Sequence, residues 1–338
     1  MLWLGCSGVP ATNRSLPSRS AFHAVTGLVC GMDVIVQERS VPSDVTVDAT
    51  DLLAWYGREQ RDLPWRRPGV TPWQVLVSEF MLQQTPVARV EPIWLAWVAR
   101  WPTASATATA SAADVLRAWG TLGYPRRAKR LHECATVIAE LFDDVVPSDV
   151  ETLLTLPGIG AYTARAVACF AYQQRVPVVD TNVRRVVARA VHGRADATPS
   201  SSPRDLDDVN ALLPNDHDAP RFSVALMELG ATVCTVRSPQ CGLCPLSVCA
   251  WRSRGYPAGT SARRVQRYAG TDRQARGRLL DVLRGTDSPV TRAQLDVAWL
   301  TDTAQRDRAL DSLLVDGLVE QTADGRFALA GEGDEALR

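Results

Sequence analysis

The sequence predicts an all-α chain that ends in a small winged-helix-like module. Three observations carry this. Apolar residues recur at helical spacing from about Asp51 to Ala231, punctuated by helix caps and Pro-Gly turns. Alternating segments flank Asp324-Gly325 near the C-terminus, a hairpin signal behind three amphipathic helical patterns. Cys234, Cys241, Cys244 and Cys249 cluster after the last long apolar helix. With no secretory signal before them, they read as a metal site rather than a disulfide framework.

Composition is that of an ordinary soluble protein, 46% hydrophobic and 22% charged, with net charge +0. No global basic field argues for nucleic acid, so any such case must be local. No run approaches the length of a membrane span, and no membrane partner is expected. Residues 1–47 show no periodicity and no acidic residue before Asp33. They read as a disordered extension, with Met32 an alternative start.

Asp51 to Gly57 begins a helix, and Leu63-Pro64-Trp65-Arg66 follows as a turn. Thr71-Pro72 is a strong helix start, with threonine as cap and proline in the first turn. The helix Trp73–Leu82 carries Glu79 among Val77, Phe80 and Met81. Apolar surroundings would raise that carboxyl toward the range of a general acid. Thr85-Pro86 caps the next helix, so Gln83 and Gln84 lie at a junction. Residues 103–113, rich in Ala, Thr and Ser, read as a loop entering the helix Asp114–Trp119. Gly120 to Pro125 then turns around Tyr124 into the basic run Arg126, Arg127, Lys129, Arg130. Such a run is either a solvated face or a phosphate contact with Tyr124 free to stack on bases.

Leu156-Pro157-Gly158-Ile159-Gly160 breaks the helical pattern, which resumes from about Tyr162 to Ala171. The proline fixes a turn, and the two glycines permit positive φ and close approach. The following helix would present unpaired N–H groups that can hold a phosphate. An ordinary helix–turn–helix corner is the plainer reading; a hairpin gripping a DNA backbone is the sharper one. Asp180 ends the apolar run Val176–Val179, where a carboxylate needs a reason to be. A helix from Asn182 to His192 follows, then a loop over 196–220 and an apolar helix from Phe222 to Ala231. Residues 256–272 read as a linker, and 273–330 as the C-terminal module, with helices near 273–284, 291–298 and 304–316.

The cysteines are spaced Cys234-x6-Cys241-x2-Cys244-x4-Cys249. Four thiolates satisfy tetrahedral zinc as well. One compact loop with a single CxxC, however, wraps a bulky cubane better than it builds two zinc knuckles, which favours a 4Fe-4S cluster.

Together the Leu156–Gly160 hairpin, Asp180 one helix later and this loop resemble the helix-hairpin-helix family of base-excision DNA glycosylases, over residues 50–255. Ser78-Glu79-Phe80-Met81-Leu82-Gln83-Gln84-Thr85 resembles the signature of its adenine-specific (MutY) branch; the endonuclease III branch lacks the glutamate. The resemblance implies an all-α fold of two helical lobes. Residues 72–178 would form a six-helix barrel with the hairpin. Residues 48–71 and 179–255 would form the cluster lobe. It further implies that Glu79 protonates adenine and Asp180 stabilises the sugar cation, with Tyr162 and Asn182 assisting. Trp65 and Arg66 would line the base pocket. Gln84 and Tyr124 would wedge into the duplex, and Gly158 and Gly160 would hold its backbone. The implied partner is double-stranded DNA with adenine opposite 8-oxoguanine or guanine. The implied protein is a monomer in the bacterial cytoplasm.

The chain also departs from the pattern. Pro125 stands where the family often has a second tyrosine, and Thr181 is the endonuclease III residue beside the adenine branch's Asn182. The last cysteine gap is one residue short. Residues 273–330 do not match the Nudix-like domain that usually reads 8-oxoguanine. The alternative reading is an endonuclease III-like glycosylase and lyase for oxidised pyrimidines. A lyase needs an amine. The family's lysine position is Tyr162 here, and Lys129 is the only lysine in the chain.

Overall fold

The computed structural model describes residues 47–198, 201–259 and 268–333. The extension expected over 1–47 lies outside them apart from Val47, as do residues 260–267 of the expected linker.

The chain opens with α1 (Ala49–Glu59), capped by the Asp48 carboxylate, and a 3-10 turn at Pro64–Arg66. Next come α2 (Pro72–Leu82), α3 (Val87–Arg100), α4 (Ala104–Ala108), α5 (Ala112–Trp119), α6 (Arg126–Leu141), α7 (Val150–Thr155) and α8 (Ala161–Phe170). Thr71 and Gln74 form a full capping box on α2, as the Thr-Pro start foretells. The expected loop at 103–113 is instead largely α4 and the start of α5. Thr103 caps α4, and Ala104 and Thr107 are buried where it packs on α6. Alanine and threonine there allow close helix approach, a tertiary cause invisible in the local pattern.

The chain then forms α9 (Thr181–Ala190), α10 (Pro203–Leu212), α11 (Ala219–Thr232) and α12 (Ala250–Ser253). The C-terminal module is α13 (Asp272–Arg284), α14 (Arg292–Asp296), α15 (Thr303–Val315) and the antiparallel strands β1 (Val319–Gln321) and β2 (Phe327–Leu329). Gly325 takes φ +81° in the hairpin turn, the conformation its Asp-Gly sequence predicts. Val290 pairs with Phe327 as a third rung, giving a small winged helix.

Two main apolar cores result. One joins Leu52, Trp55 and Tyr56 of α1 to Val183, Val187, Phe222 and Leu226 of α9 and α11. The other runs through α2 to α8 and continues without a break into Leu279, Leu283, Leu310 and Leu329 of the module. The module's core is therefore continuous with that of α2 to α8. The main chain of α5 is tied to it as well, because the Arg284 guanidinium donates to the Leu116 carbonyl at 3.0 Å.

Candidate active site

Glu79 lies in mid-α2 with its own backbone groups spent on the helix and Leu76, Phe80 and Met81 buried around it. Only 6% of the residue is exposed. Burial raises its pKa to about 7; the Tyr162 phenol and Arg66 pull it down, and the Asp180 charge pushes it up. At neutral pH a large share of Glu79 is therefore protonated.

Asp180 is buried as well but sits at a helix end. It is the N-cap of α9, and its Oδ1 accepts the Val183 N–H at 2.7 Å. Its Oδ2 accepts the Asn182 side-chain amide at 2.8 Å. Burial raises the Asp180 pKa; these donors and the Arg185 charge oppose the rise without cancelling it. A helix N-terminus favours the anion. The fold thus brings Glu79, Tyr162, Asp180 and Asn182 together from α2, α8 and α9, two of them a hundred residues apart. Tyr162, half-buried beside both carboxyls, has its phenol pKa raised well above normal by burial and by their charges.

Asn182 continues into the cysteine loop. Its Oδ1 accepts from Arg185 at 2.8 Å, and Arg185 donates to the Gly230 carbonyl at 2.6 Å and the Cys234 carbonyl at 2.8 Å. A Cβ on Gly230 would lie 2.7 Å from Asn182 Cβ and 2.9 Å from its carbonyl oxygen, so only glycine allows α11 this close.

Trp65 is buried edge-on against Trp94, ring centroids 5.8 Å apart. Arg66 donates to Glu228, Nη1 to Oε2 2.8 Å, and its charge also acts on Glu79. Sequence reasoning missed Glu228, which is fully buried on α11. Arg61 also clasps it, with Nε 2.6 Å from Oε1 and Nη2 2.9 Å from Oε2. Burial pushes the Glu228 carboxyl up, yet the two arginines outweigh it and hold the group below its ordinary value. The signal was present: a lone acid in the apolar run Phe222–Ala231, the criterion that singled out Glu79.

The two glycines of the hairpin differ. Gly158 has φ +78°, and a Cβ there would meet Phe80 and Arg130 within 3 Å. Gly160 does not take positive φ; at −100° it is the extended N-cap of α8, with no side-chain cap. A Cβ there would meet nothing. The first glycine permits the turn and the second leaves the helix end open.

Gln84 and Tyr124 are both non-glycine residues with left-handed backbone, φ 56° and 48°. Arg127 ties their loops together, donating to the carbonyls of Phe80, Met81, Gln83 and Gly123 and to the Thr85 hydroxyl. Burial lowers its pKa to about 10. The basic run is therefore not a uniform solvated face. Arg127 turns inward, Arg130 pairs with Glu133, and Arg126 and Lys129 reach Asp316 of the module.

The four cysteines line one recess with Val186, Arg189, Leu246 and Trp251. None of them is in a disulfide. Arg189 reaches to 3.4 Å of Cys234 Sγ and lies over the Trp251 ring. Among the described residues no three His, Cys, Asp or Glu side chains converge closely enough to hold a single ion. Four thiols line this apolar recess with a guanidinium to offset their charge, the donor set an iron-sulfur cluster takes.

Residues 77–210 match the profile of the HhH-GPD superfamily base excision DNA repair protein. Residues 234–247 match the iron-sulfur binding domain of endonuclease III; that span holds Cys234, Cys241 and Cys244, with Cys249 just beyond. The loop is thus an iron-sulfur loop. The adenine DNA glycosylase of Mycolicibacterium smegmatis is 78% identical over 86% of this chain and 98% of its own length. That of Mycobacterium tuberculosis H37Rv is 73% identical over 89% of this chain and 100% of its own. The human adenine DNA glycosylase is 39% identical over 68% of this chain and 45% of its own. Among solved structures, a thermostable thymine-DNA glycosylase superposes with TM-score 0.55 at 24% identity, over 61% of this chain and 95% of that one. A non-covalent endonuclease III–DNA complex gives 0.53 at 20% identity, over 62% and 95%. These two share the fold.

Proposed function

The chain belongs to the adenine DNA glycosylase family, and on that premise we propose that it removes adenine mispaired with 8-oxoguanine or guanine, leaving an abasic site without cutting the strand. The observation that carries this is the pair of carboxyls brought to one site, Glu79 in mid-helix with its pKa raised to about 7 and Asp180 as the N-cap of a helix, held by the Val183 N–H and the Asn182 amide. Breaking an N-glycosidic bond needs an acid for the leaving base and an anion beside the oxocarbenium-like sugar.

In this reading Glu79 donates its proton to adenine N7. Asp180, oriented by Asn182, stabilises the sugar cation, and Tyr162 packs beside both. Water then adds at the sugar carbon. Trp65 and Arg66 shape the base pocket, with Glu228 fixing Arg66. The adenine must leave the stack to reach Glu79. Gln84 and Tyr124 would enter the duplex to allow this, and the Gly158–Gly160 turn would hold its backbone at the open end of α8. Cys234, Cys241, Cys244 and Cys249 would ligate a 4Fe-4S cluster whose role is to fold the loop against α9. The enzyme would act as a monomer in the bacterial cytoplasm.

Monofunctional hydrolysis is supported by the lack of a lysine at the hairpin. Tyr162 is a phenol and forms no imine. Lys129, the sole lysine in the sequence, has its ammonium 3.2 Å from the Asp316 carbonyl oxygen. The test incubates a duplex bearing adenine opposite 8-oxoguanine with the protein, then runs a strand gel with and without alkali, beside borohydride trapping. Strand breaks should appear only after alkali, with no trapped adduct. Scission at the rate of base release without alkali, or efficient trapping, would move the assignment to a lyase.

A further inference from the structure

The C-terminal module has no role in the chemistry above, yet it is fastened to the loop that carries Tyr124. Asp316, its side chain 5% exposed, accepts from Arg276 of its own module at 2.6 Å and from Arg126 of α6. Its carbonyl accepts from Lys129. The first turn of α13 then sits against the wedge loop. Arg273 Cζ lies 4.2 Å from the centre of the Tyr124 ring and 5.6 Å from that of Tyr268. Arg127 Cζ lies 5.3 Å from the Tyr124 ring and 5.3 Å from Trp119, which is fully buried. Rings and guanidinium groups therefore alternate from Tyr268 through Arg273, Tyr124 and Arg127 to Trp119. Arg273 is exposed and makes no ion pair among the described residues, and its guanidinium lies over the Tyr124 ring face.

We propose that Arg273 is a positioning residue for Tyr124, and that through it the C-terminal module sets the wedge that reads the mispaired strand. This rests on the assignment of Tyr124 as a wedge. The backbone at Tyr124 is already left-handed, a conformation that surrounding contacts must hold. Arg127 holds the loop from the barrel side, and Arg273 supplies the second hold. A wedge fixed before DNA arrives loses less side-chain freedom on binding.

A double-mutant cycle tests this on the full-length, cluster-loaded protein. Binding is measured to a duplex with adenine opposite 8-oxoguanine and 2-aminopurine beside the mispair, whose fluorescence reports unstacking. Arg273→Ala should weaken binding about threefold to tenfold and lower the fluorescence rise. Arg273→Lys should recover part of both. In a Tyr124→Ala background, Arg273→Ala should cost nothing further. Additive losses would mean that Arg273 touches DNA independently and would overturn the proposal, as would an Arg273→Ala protein that binds normally while Tyr124→Ala does not. If Tyr124→Ala itself changes neither affinity nor fluorescence, the wedge assignment falls first and the proposal with it. Arg273 is exposed, so its variants should keep the parent's melting temperature and iron content.

Discussion

Glu79 and Asp180 differ less in chemistry than in backbone position. One is interior to a helix, where nothing but a few side chains can answer its charge. The other caps a helix, where free N–H groups do. Two consequences follow for Glu79. The single-turnover excision rate should be high below about pH 7 and fall as pH rises through it, since the acid form donates the proton. Stability should follow the same group. Its pKa is 4.5 ordinarily and about 7 in the fold, so the native state binds the proton more tightly than the unfolded chain. That contribution is complete below pH 4.5 and lost as pH rises through about 7. Glu79→Gln should therefore abolish excision while retaining mispair binding. It should also gain up to about 3 kcal/mol over the parent at pH 8, a gap that closes toward pH 5. Melting curves for both proteins across that range decide it. Parallel curves, or near-normal excision by the variant, would show that Glu79 is not the buried acid.

At the level of elements, the site depends on how closely α11 approaches α9. Gly230 permits that approach at Asn182, the residue that orients Asp180. Gly230→Ala must push α9 aside, and a displacement of an ångström costs on the order of 100-fold in rate. We expect a 10- to 100-fold lower single-turnover rate at saturating enzyme, with the cluster still bound; an unchanged rate would mean that α9 yields without moving Asp180. Gly230 was not legible in the sequence, because its reason is another helix. What was legible is local: the Thr71-Pro72 start, the Leu156–Gly160 turn, the Asp324-Gly325 hairpin and a glutamate inside an apolar helix. Each is a rule of spacing or cap chemistry within a few residues. The helix at Ala104–Ala108, the pairing of Glu228 with Arg61 and Arg66, and the inward turn of Arg127 all depend on contacts far along the chain. The positions of Glu79 and Asp180 in the sequence could be suspected as chemical, but only the fold joins them.

At the scale of the whole molecule, the C-terminal module reads in sequence as separable, behind a polar stretch and with its own helical pattern. Its packing is otherwise. Leu279, Leu280 and Leu283 of α13 are buried in the same core as Leu116 and Trp119 of α5. Arg117 joins the Thr286 carbonyl at 2.6 Å and the Glu332 carboxylate. Half-buried Arg284, its pKa lowered by desolvation, spends a donor on the α5 main chain. Ending the chain after residue 258 would therefore do more than free the Tyr124 loop. It would open the shared core along α5 and leave Arg126 and Lys129 without Asp316. Each leucine-sized side chain so exposed costs about 2 kcal/mol. At about 2–4 °C per kcal/mol, the truncated protein should melt at least 5 °C below the parent, with the loss seen in the lobe that carries Glu79. Hydrogen exchange should locate it, with faster exchange in α5 and α6 but not in α9 or α11. A truncation that melts with the parent and protects α5 equally well would show that the module is a passenger on a barrel complete without it.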